Sequence, residues 1–257
     1  MPTEKQIQKA KLFLQTRIEA EISAKNNIEE YMMEAAREII AISQKYNIPP
    51  RLFRFGFNES LRKEVDNVIK TLKENIIYAT ETLSVYDRED DKYSILIYLN
   101  SDKYGKTFKE RVNEYANRYK FELEAAIAAG IFFGKTDKEI LSTIKRSLSM
   151  PYNNQYIKGS FDKGLSATRI ETKGISYGVG KSSSAYNLLT SLSRNEIALT
   201  WMWWYGKQAL KKGATGFYSF RGSSYPCALC DDMVGFHPMQ DYRYQWHLNC
   251  RCYFVFV

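Results

Sequence analysis

Histidine is almost missing from this 257-residue chain, which carries two, His237 and His247. General acid–base catalysis near neutral pH draws most often on imidazole. No pair of carboxylates, no Ser/His/Asp order and no nucleotide fingerprint stands in for it, so a non-enzymatic role is expected. Long apolar runs are also missing. The longest candidate, Ile127 to Phe133, falls well short of the roughly 18 residues that a membrane span needs. Met1 to Lys11 is polar and mixed in charge, and no apolar core of a leader follows it. The expectation is a protein made and kept in a cytoplasm, or packaged from there, with no membrane partner. Cysteine is absent from the first 226 positions. With 44% hydrophobic and 26% charged residues, the chain has the material for a real core, and wholesale disorder is excluded.

The net charge is +8, and its placement is uneven. Residues 1–139 balance 23 basic side chains against 23 acidic ones, whereas residues 140–257 carry 14 basic and 6 acidic. Such asymmetry suggests that one part meets a polyanion, with packaged DNA or an acidic protein surface as candidates. Phosphate neutralisation rather than base reading would do the binding. A mildly basic surface kept for solubility is the other reading, because no dense Lys/Arg cluster appears.

Apolar periodicity organises most of the chain into helices. Residues 4–46 read as one long helix, with Ile7, Leu14, Ile18, Ile22, Ile28, Met32, Ala36 and Ile39 recurring at helical steps. Pro49 and Pro50 stop it. Asn58 can cap a second helix whose stripe is Leu61, Val65, Val68, Ile69, Leu72 and Ile76. Ser94 to Leu99 is mostly apolar and reads equally as a short strand or part of a helix. Three capping boxes, Thr107/Glu110, Thr136/Glu139 and Ser193/Glu196, predict helices over 108–133, 137–148 and 194–212. Gly134 and Gly213 sit where helix C-caps belong. Residues 151–184 are rich in Gly, Ser, Asn and Tyr and read as a loop or a loosely helical connection. Gly216 to Phe220 and Arg251 to Val257 have strand character.

The expected fold is therefore mainly α. A helical domain spans 1–149, and a small α+β C-terminal module spans 150–257, beginning with the glycine/serine-rich connection 151–184. That tail is too poor in aliphatic residues to form a core alone and needs a staple.

The staple is suggested by the four cysteines, Cys227, Cys230, Cys250 and Cys252, all within the last 31 residues. Cys227-x-x-Cys230 lets two thiolates bite one tetrahedral metal from a tight turn, and His247-x-x-Cys250 gives a second pair about 17 residues on. A structural zinc takes four ligands. The preferred set is Cys227, Cys230, His247 and Cys250. Cys252 is an alternate ligand, since Cys250 and Cys252 share a face in a strand. His237, beside Pro238, reads as a turn or surface residue. Buried reduced cysteines, disulfides, and a catalytic Cys–His couple are the competing readings.

In its order of elements the C-terminal part resembles the phage Mu F-like family of minor head, or head-morphogenesis, proteins. The resemblance rests on a helix entered through Arg194-Asn-Glu196 and leaving at Lys212-Gly213, and a strand at Phe217 to Arg221. Cys227-x-x-Cys230 and Gly235 follow, then His247-Leu-Asn249-Cys250-Arg251-Cys252 close to the end. The specific part covers residues 193–257, and a looser match extends back to about residue 130. Leu248 departs from the proline that commonly follows the histidine. The resemblance implies a low-copy virion component that meets portal or major capsid proteins, acts in head assembly or travels with the DNA, and holds a structural zinc. The alternatives are a nucleic-acid-binding zinc protein outside any virion and a Cys–His enzyme or toxin effector.

Three further features are weighed with these. Gly174 to Ser182 looks like a phosphate-binding loop, but its first glycine is one residue early and no buried strand precedes it. Arg169-Ile-Glu171 and Arg194-Asn-Glu196 suggest a faint repeat of helix starts, or ordinary surface ion pairing. Trp201, Trp203, Trp204 and Tyr205 crowd one helical turn and cannot all face one core, so some of them are expected to face a partner or the zinc module.

Overall fold

The computed structural model describes residues 1–103, 105–162 and 184–257. Among these the fold is mainly α, with eight α-helices and a small three-stranded antiparallel sheet at the C-terminal end. The helices are α1 (Glu4–Lys45), α2 (Glu59–Val85), α3 (Lys92–Leu99), α4 (Phe108–Phe132), α5 (Asp137–Ser147), α6 (Gln155–Asp162), α7 (Ala185–Lys211) and α8 (Ala228–Asp232). The strands are β1 (Gly216–Phe220), β2 (Gly235–Pro238) and β3 (Tyr253–Phe256), in the order β2-β1-β3. No described helix is long and apolar enough to cross a membrane.

Local signals set most of these bounds. The Asn58 carboxamide accepts the Ser60 and Leu61 amides at 2.8 and 3.2 Å and caps α2. Both halves of the capping box are formed at Thr107/Glu110 and at Thr136/Glu139. Gly134 and Gly213 have φ of 64° and 82° and close α4 and α7. Each gives the paired C-terminal bonds of a Schellman turn: Lys135 to Gly130 and Gly134 to Ile131 after α4, Ala214 to Ala209 and Gly213 to Leu210 after α7.

Of the two readings open for Ser94 to Leu99, the helical one holds, within α3. Other expectations are corrected. The third capping box does not open a helix: α7 starts at Ala185, and the Ser184 hydroxyl accepts the Asn187 amide at 3.2 Å. Ser193 therefore lies in the helix interior, fully buried. Ile22 is half exposed, because the buried stripe of α1 instead runs through Leu14, Arg17, Glu21, Ala24, Ile28 and Met32. The described part of the 151–184 connection includes the helix α6. Gly174 to Ser182 and Arg169-Ile-Glu171 lie outside the described residues.

The chain forms two compact units. Unit 1 comprises Met1–Lys25, Thr80–Ser101 and Ser193–Val257; unit 2 comprises Asn26–Ala79 and Asp102–Leu192. The expected division at 149/150 follows the chain, whereas these units follow spatial packing and interleave. The charge excess of residues 140–257 is shared between them: 140–192, in unit 2, has 7 basic and 2 acidic residues, and 193–257, in unit 1, has 7 and 4.

Unit 2 is helical among its described residues. Two buried acids of α4 serve as main-chain acceptors there. Glu124 takes the Phe55 amide at 2.8 Å, and Glu122 takes the Ala185 amide at 2.8 Å with Arg118 at 3.5 Å. The Tyr119 hydroxyl donates to the Met32 carbonyl at 2.8 Å.

Unit 1 holds the sheet. Alternate residues of β3 point to opposite faces. Tyr253 and Val255 pack with Ala10 and Leu14 of α1, while Phe254 joins Phe217, Met202 and three cysteines in a second cluster. The tail is thus covered by the first turns of α1 as well as by its own residues. The aromatic turn of α7 divides its labour. Trp201 is buried against Ala20 and Ala24, and Trp203 stacks on Tyr98 at 4.7 Å. Tyr205 stacks on Phe13 at 4.4 Å.

Candidate metal centre

The centre is assembled by two short turns. After β1, Arg221 donates to the carbonyl oxygens of Ser223 at 3.1 Å and Cys227 at 3.3 Å, and it also binds the Tyr225 carbonyl and the Asp231 carboxylate. One guanidinium thereby folds the 222–227 loop onto the start of α8. A Cβ at Gly222 would fall 1.9 Å from the Arg251 carbonyl oxygen, so a side chain has no room where this loop passes the 250–252 segment. Cys227 precedes the first turn of α8 and Cys230 lies within it. Three residues of helix bring two side chains to the same side.

The second turn carries the remaining donors. The Cys250 amide donates to the His247 carbonyl at 3.1 Å, and Asn249 takes φ of 62°, a left-handed conformation that asparagine tolerates. Cys252 follows, immediately before β3, and its amide donates to the Cys250 sulfur at 3.4 Å.

These turns bring all five predicted donors together. Cys230 Sγ lies 2.9 Å from His247 Nε2, and Cys227 Sγ lies 3.4 Å from the same nitrogen. Cys230 Sγ is 3.8 Å from Cys250 Sγ. The donors form two overlapping groups, Cys227–Cys230–His247 and Cys230–Cys250–Cys252, each with its atoms within 4.8 Å of one another. Cys230 belongs to both. A tetrahedron around one zinc, with bonds of about 2.3 Å to sulfur and 2.0 Å to nitrogen, has edges of roughly 3.8 Å between sulfurs and 3.5 Å between sulfur and nitrogen. The observed separations are close to these edges, apart from the shorter Cys230–His247 contact. Each group of three therefore fits a metal ion, with Cys230 shared between them. All four cysteines are free thiols.

The electrostatics favour coordination. His247 Nδ1 sits 2.8 Å from the Leu248 carbonyl, which can only accept, so the Nδ1 proton is fixed there and the Nε2 lone pair faces the sulfurs. That backbone bond raises the imidazole pKa, against the opposing effect of burial. The Cys250 thiol is pulled down to about 5, first by the Cys252 side chain and then by main-chain donors, with burial opposing them. Bonds from Cys230 lower Cys227, whereas burial pushes Cys230 up to about 12, and the bond to Cys250 raises Cys252.

Two elements of unit 1 back the centre. Arg17, 1% exposed on α1, donates to the Cys250 carbonyl at 3.0 Å. Glu21, equally buried, ion-pairs with Arg251 at 2.8 Å and with Arg17 at 3.3 Å. The Arg17 contact is not aligned as a hydrogen bond. Burial lowers the Arg17 pKa, and the Glu21 charge works against that. These positioning residues were not foreseen from sequence, although Arg17 and Glu21 stand four apart on the apolar stripe of α1. Arg251 separates the last two cysteines in the motif itself. His237 stays outside the centre, in β2, with its Nε2 3.1 Å from the Met233 carbonyl.

An open cleft of about 220 Å³ leads to the cluster, lined by Arg221, Tyr225, His247, Asn249 and Arg251 together with cysteines. Comparison of the chain with protein-family models, with curated proteins and with solved structures returns no match.

Proposed function

We propose that the cluster holds one structural zinc ion through Cys227, Cys230, His247 and Cys250. In this reading Cys252 donates its amide to the Cys250 sulfur rather than binding the metal. The observation that carries the proposal is the imidazole: its Nδ1 is tied to a backbone carbonyl and its Nε2 is aimed at two sulfurs. Such a tie orients a metal-ligating histidine. A bound zinc would contribute fold stability by crosslinking the two turns. Arg17 and Arg221 would hold the carbonyls of Cys250 and Cys227, fixing the ligand loops from outside.

The wider role we propose is that of a minor, capsid-associated head-morphogenesis protein of a phage or prophage. It would act by docking on portal or major capsid proteins rather than by catalysis, and its residence would be the virion. Support comes from the order of features between Arg194 and Cys252, with a cysteine–histidine cluster where the resemblance requires one.

The test has two parts. Purified, reduced protein is analysed for metal, and one zinc per chain is expected. A metal-free protein that keeps its C-terminal fold in strong chelator would end the zinc reading. Gradient-purified heads from cells carrying the surrounding genes are then probed for the chain, and its absence from both finished heads and assembly intermediates would end the head-assembly reading.

A second reading has one observation in its favour. Cys227 and His247 lie 3.4 Å apart beside an open cleft, the spacing of a thiol–imidazole nucleophile couple. It predicts a thiol that alkylates rapidly in the metal-loaded protein, whereas the zinc reading predicts protection until the metal is removed.

A further inference from the structure

A second cleft of unit 1 lies elsewhere, and neither the proposed zinc site nor head assembly accounts for it. It is open, has a volume of about 510 Å³, and lies among α1, the end of α2 and α7. Its walls are aromatic, with Phe13, Tyr86, Trp201, Trp204 and Tyr205 contributing rings. Lys9, Arg88 and Lys212 bring positive charge to it, against the single acid Asp87.

Two details mark the cleft as more than a gap in packing. Arg88 lies 3.7 Å from the centre of the Trp201 ring and 4.7 Å from that of Trp204, yet among the described residues no carboxylate comes within ion-pair distance of it. Its hydrogen bonds are long ones to the Ser84 and Val85 carbonyls, at 3.5 and 3.4 Å. A half-buried guanidinium thus lies against aromatic faces, with Asp87 acting on it only from a distance; burial pushes its pKa down to about 10. The second detail is Tyr86, which ends α2 with φ of 26°. A bulky residue at positive φ is strained. The strained Tyr86 keeps 45% of its surface exposed, with its ring 5.6 Å from Trp201.

The chemistry selects the occupant. Most of the wall is helix, whose backbone groups are already bonded, and Tyr86 to Arg88 form a turn rather than a strand, so an extended peptide finds no edge to pair with. The cleft offers ring faces and cations. A ligand with flat π-faces joined to anions fits both, and its faces must be unstacked to be reached. We propose that this cleft binds single-stranded nucleic acid, with a base stacked on Tyr86 and adjacent phosphates held by Arg88, Lys9 and Lys212. The proposal stands independently of the zinc and head-assembly readings.

The test uses the full, metal-loaded chain and a fluorescently labelled 15-residue oligothymidylate, followed by anisotropy and by quenching of tryptophan emission. Binding is expected at low salt, weakening as salt rises. Tyr86→Gly removes the ring while relieving the strained φ, so it preserves the fold, and it should weaken binding roughly 5- to 150-fold. The exposed pair K9Q/K212Q should flatten the plot of log affinity against log salt by about 1.4, at about 0.7 for each phosphate no longer neutralised. An oligonucleotide that fails to bind at low salt would overturn the proposal. So would binding unchanged in both variants, or displacement of the strand by a glutamate-rich tyrosine peptide or by an equal concentration of mononucleotide. Zinc content is measured on the same samples. Zinc-loaded protein that ignores the strand removes this cleft alone, and zinc-free protein that still binds removes the zinc reading alone.

Discussion

Every cysteine, histidine and tryptophan of the chain lies in unit 1, and unit 2 contains none of them. Unit 1 combines a three-stranded sheet, a five-donor cluster and a buried Arg17–Glu21–Arg251 network. Described unit 2 relies on helix packing, formed capping boxes and buried acids that accept main-chain amides. Units held by such different means should respond to different perturbations. Tryptophan emission reports on unit 1 alone, while amide exchange can follow each unit separately.

The largest effect should come from Cys230→Ser. Cys230 is common to both donor groups, so its loss breaks whichever ligand set is used. Zinc content should fall from one equivalent to almost none, with unit 1 losing metal-linked stability on the order of 10 kcal/mol. The tryptophan unfolding midpoint should drop while the amides of α4 and α5 keep their protection. Two companions sharpen the ligand assignment: His247→Ala should lose the metal and Cys252→Ser should keep it. The reverse pattern would move Cys252 into the set. Next in size is Arg17→Met, which leaves the Cys250 carbonyl without its donor and Glu21 with fewer counter-charges. Breaking a buried ion pair costs about 3–5 kcal/mol. The loss should appear in tryptophan-monitored denaturation and in faster zinc release to chelator. An unchanged release rate would show that α1 merely covers the centre.

Much of this contrast can be read in the sequence, for local reasons. Capping boxes at Thr107 and Thr136, the cap at Asn58 and the glycines at 134 and 213 act over three to five residues, so their patterns carry their own outcome. The five donors are legible because zinc needs particular atoms at particular spacings. What fails depends on distant partners. Ser193 and Glu196 have the spacing of a capping box, but the helix already runs through them from Ser184. Lys92 to Leu99 has no polar face to define a period, so strand and helix look alike. β2 alternates only weakly between half-buried and exposed over four residues, which is too little to detect. Nothing in Tyr253 or Val255 announces that Ala10 and Leu14 will cover them. The ion pair on the α1 stripe reads as a solvated pair until its partner Arg251 arrives from the other end of the chain.

The units should also respond to pH in opposite directions. Burial raises the Glu122 carboxyl to about 7, against the stabilising Ala185 amide and Arg118. Its folded pKa thus exceeds its unfolded one, near 4.5. Between those values the folded state binds more protons, so the contribution of this carboxyl is fully present below the lower value and is lost as pH rises through 7. The span amounts to about 3 kcal/mol. Glu122→Gln keeps an acceptor for the Ala185 amide and should flatten the profile, measured by exchange of the α4 amides between pH 5 and 8. Zinc ligands must shed protons to bind, so unit 1 should weaken toward acid instead. Parallel profiles for the two units would break the comparison.

The smallest effect probes whether the units are separate at all. Thr136 accepts the Glu139 amide at 3.4 Å, and the Glu139 carboxylate accepts the Thr136 amide at 2.9 Å. Thr136→Ala removes the hydroxyl half of this box and should cost about 1 kcal/mol. The site lies in unit 2, at the exposed start of α5, so the change should be local. Faster exchange is expected for the first-turn amides of α5, with little change at α2 and none in the tryptophan midpoint. Cys230→Ser should give the mirror image. If the threonine variant instead lowers the tryptophan midpoint by its full cost, the units unfold as one cooperative block, and a metal in unit 1 would then stabilise the α4–α5 region as well.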